Sequence, residues 1–182
     1  TKMFVLGFSS DAVYQYDLTT GFSMAAGNVN NTSHNFSVVS QDTVPTGLAF
    51  NSDGTKMFVL GRSSDAVHQY SLTNGFSLAS GNVTYDNLSF SVASSNTDPS
   101  GLAFNSDGTK MFIIGADTDR VDQYSLTTGF SMAAGNVTYD NINLDVSSQE
   151  SYPNGLAFNS DGTKLFVIGQ SSDSVHQYNT SA

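Results

Sequence analysis

The chain contains no cysteine, few basic side chains and no apolar run long enough to cross a membrane. The absence of cysteine excludes a disulfide framework and thiolate chemistry. A helical span needs about 18 or more consecutive apolar residues, and none of the runs approaches this length. Six Lys and Arg residues stand against sixteen Asp and Glu residues, which gives a net charge of −10. This charge repels phosphates and anionic membrane surfaces, so nucleic acid and lipid are not expected partners.

What the chain does contain is a repeat of 54 residues. The segment GLAFNSDGTKMFVLG begins at Gly47 and returns at Gly101 and Gly155 with two apolar substitutions in each copy. The sequence opens inside the same motif at Thr1, so about 3.4 repeats fit into 182 residues. The units are residues 1–46, 47–100, 101–154 and 155–182, of which the first and the last are partial.

We expect the chain to be part of a longer array, because it begins and ends inside a repeat. Two copies would bring about 6.7 units and leave strands over, which argues against clean closure of a ring by two copies.

Each unit has the pattern of four strands, and no helix is needed. In the second unit we predict strand a at residues 47–51, strand b at 56–60, strand c at 66–72 and strand d near 88–92. The Asp-Gly pair between a and b predicts a hairpin turn. Strand b is apolar at four consecutive positions, which predicts that both of its faces are covered. We therefore predict an all-β fold, the β-propeller, rather than a β-helix. Each unit has four short antiparallel strands, one of them buried on both faces, and the repeat length is 54 residues.

The pattern P-x-GLAF-NSDGTKMFVLG-x-SSDAV-x-QY resembles the blade signature of YVTN and NHL type propeller repeats of bacterial secreted and surface proteins. The resemblance covers the whole chain, although the c-to-d segment is longer than in those families. It implies a propeller of four-stranded blades. Some relatives are sugar-lactone hydrolases or phosphatases with a metal in the central channel, and the resemblance to those enzymes extends only to the blade.

Differences among the repeats cluster at two connections. The first residue of the b-to-c connection is Phe8, Arg62, Ala116 or Gln170, and a residue early in strand c is Tyr14, His68, Asp122 or His176. The d-to-a connection varies as QDTVPT, SNTDPS and QESYPN. In a four-stranded meander both connections emerge on the same face of the disc. We therefore predict a variable face that binds a partner, with neutral drift at tolerant loop tips as the alternative.

No set of residues in the sequence points to a catalytic centre or a cofactor. His68 and His176 lie two blades apart, too far to share one metal, and we expect them to be exposed polar residues. One aspartate per blade precedes strand c, and we expect it to cap the b-to-c turn. The alternative is a ring of carboxylates that holds calcium. These aspartates are Asp11, Asp65, Asp119 and Asp173.

A Gln-Tyr pair recurs in strand c of every unit, at positions 15/16, 69/70, 123/124 and 177/178. Its recurrence predicts hydrogen bonds and packing between blades rather than a single active site.

The sequence favours a noncatalytic extracellular module of a surface protein, fibre or filament. Its partners would be a protein or glycan surface, or further copies of the chain, and its location would be extracellular or at the cell surface. A lactonase-like hydrolase is the first alternative. It would need an acidic or histidine cluster from different blades, and near-identical repeats argue against one. A propeller lectin with one weak sugar site per blade is the second alternative.

Overall fold

A computed structural model describes residues 1–180 of the chain, which form fourteen antiparallel strands. Nothing in this part of the chain is a helix that could cross a membrane. The strands are β1 (Lys2–Gly7), β2 (Ala12–Leu18), β3 (Val29–Ser37), β4 (Pro45–Phe50), β5 (Lys56–Gly61), β6 (Ala66–Leu72), β7 (Val83–Ser91), β8 (Pro99–Phe104), β9 (Lys110–Gly115), β10 (Arg120–Leu126), β11 (Val137–Asp145), β12 (Pro153–Phe158), β13 (Lys164–Gly169) and β14 (Val175–Asn179).

The strands form four sheets, each a meander in chain order. The second and third sheets have four strands, β4 to β7 and β8 to β11. The first sheet, β1 to β3, has no counterpart of strand a, and the last sheet, β12 to β14, has no counterpart of strand d. The four-stranded antiparallel unit expected from the repeat is therefore confirmed. The predicted strand c coincides with β6, whereas β7 begins five residues before the expected start of strand d.

The inner strands β4, β8 and β12 lie next to one another and join the sheets. The Thr46 hydroxyl donates to the Pro99 carbonyl at 2.8 Å, and the Ser100 hydroxyl donates to the Pro153 carbonyl at 2.7 Å. The glycine that follows favours this close approach. A Cβ on Gly47 would lie 3.0 Å from the Cβ of Leu102 in the next inner strand, a tighter contact than most real Cβ atoms make.

Apolar side chains fill the space between neighbouring sheets. Between the second and third sheets, Phe58 and Leu60 pack with Met111, Ile113 and Tyr124, all of them at most 1% exposed. Residues 57–60 of β5 are fully buried on both faces, so the predicted double burial of strand b is confirmed. Packing of this kind holds each sheet only to its neighbours, as in other repeat proteins.

The c-to-d segment of each complete sheet packs on the hairpin between strands a and b. Phe76 has a left-handed φ of 54°, and its N–H donates to the Gly54 carbonyl at 3.0 Å. The ring then lies over Gly54, where a Cβ would overlap it. Phe130 packs over Gly108 in the same way. At Gly162, in the last sheet, no such atom lies within 4 Å of the Cβ position.

Glutamine side chains of strand c connect neighbouring sheets, as the recurring Gln-Tyr pair predicts. The side-chain oxygen of Gln15 accepts a hydrogen bond from the Leu78 N–H at 2.7 Å, and that of Gln69 accepts one from the Met132 N–H at 2.8 Å. In both pairs the donor belongs to the next sheet, 63 residues further along the chain. The predicted hydrogen bonding between blades is therefore confirmed at these two interfaces.

Candidate functional site

The connections between strands b and c are turns of four residues, or five in the last sheet, and the fourth residue of each is an aspartate in the left-handed region. The φ angles of these aspartates lie between 48° and 51°, a conformation that Asp adopts more readily than most residues. The Asp65 carbonyl accepts a hydrogen bond from the Val92 N–H at 2.7 Å, and the Asp119 carbonyl accepts one from the Val146 N–H at 2.9 Å. These bonds tie the turn to the end of the outer strand. The four residues are Asp11, Asp65, Asp119 and Asp173.

The side chains of these aspartates do not cap the turn as expected. Within residues 1–180, Oδ1 of Asp65 and Oδ1 of Asp119 are buried without a hydrogen-bond partner. Burial and neighbouring carboxylates raise the pKa of both groups. The conformation of the backbone, rather than a side-chain cap, is therefore what places Asp at this position. No three acidic or histidine side chains in the described part of the chain come together as a metal site.

A buried polar residue of the d-to-a connection holds the b-to-c turn beside it. Oδ1 of Asp42 accepts from the Val44 N–H at 2.7 Å, and its Oδ2 accepts from the Ser64 N–H at 2.8 Å. Its carboxylate fills the space next to Gly61, where any Cβ would overlap it. Asn96 and Glu150 occupy the same place beside the last glycine of strand b in the next two sheets. We call Asp42, Asn96 and Glu150 the clip residues.

Glu150 is the most strongly bonded clip residue and is only 1% exposed. Its carboxylate accepts hydrogen bonds from the N–H groups of Tyr152, Ser171 and Ser172 at 2.9 to 3.0 Å, and from the Ser172 hydroxyl at 2.6 Å. Burial disfavours the charged form, but these bonds outweigh it and lower the pKa of Glu150 to about 2. The clip joins the two variable connections, so the prediction that they share one face is confirmed.

The first residues of the four b-to-c connections come together at one end of the inner strands. Phe8, Arg62, Ala116 and Gln170 line an open depression of about 400 Å³. Each belongs to a different sheet, and all four are positions at which the repeats differ. The remaining walls come from Leu6 and from the residues around the proline of each d-to-a connection, among them Thr46, Ser100, Tyr152 and Asn154.

Arg62 is the only cation on the walls of this depression, as far as the described residues go. Its Nε and Nη2 both approach the carboxylate of Asp98, which fixes one edge of the guanidinium. Its side chain remains 39% exposed. Burial opposes its charge, but Tyr152 and Asp98 beside it raise the pKa of Arg62. Since a guanidinium carries five N–H donors, the edge turned away from Asp98 keeps donors for a ligand.

The other walls of the depression combine apolar and neutral polar groups. Phe8 is 59% exposed and offers an aromatic face. Asn154 and Gln170 carry side-chain amides that can donate and accept hydrogen bonds. The hydroxyls of Thr46 and Ser100 are used as donors by the inner strands but keep free lone pairs as acceptors. An aromatic face, amides and one guanidinium suit a small ligand that has many hydroxyl groups.

The variable residues of strand c do not reach the depression. His68 is only 7% exposed, so the expectation of an exposed side chain was wrong. Its Nε2 lies 3.0 Å from the Ser64 hydroxyl and its Nδ1 lies 3.4 Å from the Tyr85 hydroxyl. Burial lowers the pKa of His68, which keeps the ring neutral at pH 7. It therefore belongs to the packing between strands rather than to a surface that could contact a partner.

Asp122 is fully buried at the equivalent position of the third sheet. Its Oδ1 accepts hydrogen bonds from Nε of Arg120 at 2.9 Å and from the Tyr139 hydroxyl at 3.0 Å. In the last sheet His176 lies 2.9 Å from the Ser172 hydroxyl, and in the first sheet Tyr14 is half-buried in β2. Placing Asp122 on a binding face was therefore wrong, because a side chain of strand c points into the space between sheets.

Thr46, Ser100, Tyr152 and Asn154 belong to the d-to-a connections that vary among the repeats, but none of them was predicted individually as a site residue. A signal for them exists. A proline recurs at the same place in each d-to-a connection, and the residues on either side of it differ, as Val-Pro-Thr, Asp-Pro-Ser and Tyr-Pro-Asn. Variation next to a constant proline is the same kind of signal that identified the first residues of the b-to-c connections.

No protein-family model matches the chain, and no curated protein matches it at a significant level. Solved structures do match. One is the β-propeller domain of Cps50 (Swd1) from Myceliophteria thermophila, with a TM-score of 0.55 and 8% identity over 95% of this chain and 48% of that one. The chain has the β-propeller fold.

Two other similar structures are named as lactonases. The periplasmic gluconolactonase of Pseudomonas aeruginosa matches with a TM-score of 0.61 and 17% identity, over 99% of this chain and 47% of that one. A provisionally named 6-phosphogluconolactonase from Bacteroides fragilis matches with a TM-score of 0.62 and 13% identity, over 99% of this chain and 48% of that one. The chain thus spans about half the length of these propellers, and at such identities the similarity concerns the fold.

Proposed function

We propose that the chain is part of a propeller that binds one small polyhydroxylated ligand, of the sugar or sugar-lactone class, in the depression lined by Phe8, Arg62, Tyr152 and Gln170. The observation that carries this proposal is a local loss of symmetry. The repeats build four nearly identical turns, yet the residue at the start of each turn has a different chemistry. Four identical residues would suit repeated weak contacts, whereas four different ones suit one asymmetric ligand.

The chemistry of the walls indicates the class of ligand. A sugar ring can lie against the exposed phenyl group of Phe8, while its hydroxyls bond to the amides of Gln170 and Asn154. The guanidinium of Arg62 would take a carboxylate, a phosphate or a carbonyl oxygen of the same ligand. The gluconolactonase neighbours act, by their names, on molecules of this kind.

Calorimetric titration with D-gluconate tests the binding proposal. Arg62→Gln should raise the dissociation constant about tenfold or more, since a hydrogen bond to a charged group contributes about 1.5–3 kcal/mol. Lys110→Gln is the matched control. Lys110 also carries one charge, is 39% exposed and pairs with an aspartate, but lies at the hairpin end of β9, opposite the depression. Equal effects of the two substitutions, or no binding to the native chain, would refute the proposal.

Hydrolysis of a sugar lactone is the second candidate function, and the named lactonases among the similar structures favour it over the noncatalytic module predicted from the sequence. Proton release from D-glucono-1,5-lactone, followed at constant pH with and without a divalent cation, tests it. A rate above the uncatalysed one that Arg62→Gln reduces would support an enzyme. Binding without such a rate would leave recognition as the function.

The YVTN and NHL relationship, the extracellular location and the role in a fibre stay predictions from the sequence.

A further inference from the structure

The residue before the proline of each d-to-a connection has a different chemistry in each unit. It is Val44, Asp98 or Tyr152, and it stands directly before the inner strand of its sheet. Asp98 is the charged one of the three. It belongs to the connection that leads into the third sheet, whereas its carboxylate contacts Arg62 of the second sheet. This ion pair therefore links two sheets at the wall of the depression.

The backbone of Asp98 is fixed on both sides. Its N–H donates to the side-chain oxygen of the clip residue Asn96 at 3.2 Å, and its carbonyl accepts from the Ala116 N–H at 2.9 Å. A residue that precedes proline is also restricted to extended conformations, because the proline ring collides with other backbone geometries. The side chain of Asp98 thus starts from a point on the backbone that has little freedom to move.

The carboxylate of Asp98 has one partner. Its side chain is 17% exposed, and within the described residues Arg62 is the only group that forms a hydrogen bond or an ion pair with it. Arg62 approaches with both Nε and Nη2. A contact at two points fixes the plane of a guanidinium, and the remaining N–H donors then have a fixed direction.

This fixed direction matters because Arg62 is a long side chain at an exposed wall. Its side chain is 39% exposed, so without a partner it could adopt many rotamers. A ligand that has to order such a side chain loses binding free energy. When the side chain is ordered before the ligand arrives, this loss is avoided, which corresponds to about two- to tenfold in affinity.

We propose that Asp98 is a positioning residue of the depression, which orients the free edge of Arg62 for the ligand. Asp98 is not one of the described residues that line the depression, so it acts through Arg62. Because this role concerns the same site, it rests on the proposed function. Charge and positioning have opposite consequences here. Removal of Asp98 removes a negative charge, and on charge alone an anionic ligand should then bind more tightly. Loss of positioning should weaken anionic and neutral ligands alike.

The repeat itself supplies the substitutions for a test. Asp98→Val introduces the residue that the preceding unit has at this position, as Val44, and is therefore compatible with the fold. Asp117→Ser is the matched control. Asp117 is an exposed carboxylate of the next b-to-c turn that bonds to Thr97, and the units on either side have serine at its position. Both substitutions remove one negative charge, but only the first removes the partner of Arg62.

Calorimetric titration with D-gluconate and D-glucitol measures the two effects, since these ligands differ only in a carboxylate and a hydroxymethyl group. Asp98→Val should raise both dissociation constants about two- to tenfold, and Asp117→Ser should raise neither. If Asp98→Val strengthens D-gluconate or leaves both ligands unchanged, the positioning role is overturned and the proposed function stands. A native chain that binds neither ligand would refute the proposed function, and any role of Asp98 in binding with it.

Nuclear magnetic resonance of the free chain measures the orientation of Arg62 directly. The chain has two arginines, so a nitrogen–proton spectrum of the Nε groups contains two signals. Arg120 is the internal reference, because its Nε donates to Asp122 at 2.9 Å. In Asp98→Val the Nε proton of Arg62 should exchange with water several-fold faster, and that of Arg120 should not change. Equal exchange of the Arg62 proton in both chains would overturn the inference.

Discussion

At the level of single residues, buried polar side chains hold the loops that line the depression. Asp42 and Glu150 satisfy backbone N–H groups of both connections that they contact. Their charge is offset by several hydrogen bonds rather than by a basic partner. A carboxylate held in this way remains ionised at pH values below its ordinary pKa, because protonation would remove acceptors that buried donors need.

Glu150 should therefore make stability depend on pH. Its carboxyl binds a proton near pH 4.5 when unfolded and near pH 2 when folded, so unfolding takes up a proton between these values. The stabilisation is complete above about pH 4.5 and is lost as the pH falls towards 2. Glu150→Gln should lower the free energy of unfolding at pH 7 by about 1–3 kcal/mol and weaken its pH dependence in that range.

Urea denaturation at pH 7 and pH 3 measures both effects of the Glu150 substitution. Asp173→Asn, at an exposed carboxyl in the same turn, should change little at either pH. A pH dependence unchanged by Glu150→Gln would contradict the assignment of this group.

Residues of strand c show where sequence reasoning failed and why. Arg62 and His68 vary equally among the repeats, yet one lines the depression and the other is buried. Variation in sequence identifies positions that tolerate change, but it does not indicate the direction of a side chain. In a strand with neighbouring sheets on both faces, a polar residue can be buried whichever way it points. The first residues of the turns line the depression because a turn has only one exposed side.

At the level of strands, the accuracy of prediction followed the strength of the apolar pattern. β6 was predicted with both of its ends because it lies between two turns with clear signals. β7 was predicted too short. It begins with a polar stretch, and a bulge near Tyr70 together with a positive φ at Asn87 interrupts its alternation. An outer strand that is half exposed can be polar, so composition does not mark its start.

The packing of the c-to-d segment on the a-to-b hairpin can be tested with two glycines of equal backbone conformation. Gly54 and Gly162 have φ angles of 71° and 74°. Replacement by Ala should cost about 1–2 kcal/mol at either site because of this conformation. At Gly54 the added methyl also displaces the ring of Phe76, which should cost about 1–3 kcal/mol more. Thermal unfolding of Gly54→Ala and Gly162→Ala measures the difference, and equal losses would show that Phe76 contributes nothing to the hairpin.

At the level of the whole molecule, stability is a sum over equivalent contacts between neighbouring sheets. The inner-strand contact between β4 and β8 repeats between β8 and β12. The hydrogen bonds of Thr46 and Ser100 to the following proline carbonyl repeat in the same way. A molecule built from such contacts has no element on which the whole fold depends.

Deletion of residues 47–100 should therefore leave a folded chain. It removes one complete sheet and joins the first unit to the third in register, leaving 128 of 182 residues. We expect unchanged strand content per residue, cooperative urea unfolding and an m-value lowered roughly in proportion to chain length. Deletion of residues 47–73 is the control, since it removes half a unit and breaks the strand order. If both deletions unfold the chain, the sheets are not interchangeable.

The clip residues have a consequence for how this surface can change. Each clip bonds to the backbone of its loops, and the side chain at the start of the turn takes no part in that bonding. Substitutions at positions 62, 116 and 170 therefore alter what the loops display without disturbing what holds them. These three positions form a set that selection, in nature or in a display library, can diversify independently while the scaffold keeps its sequence.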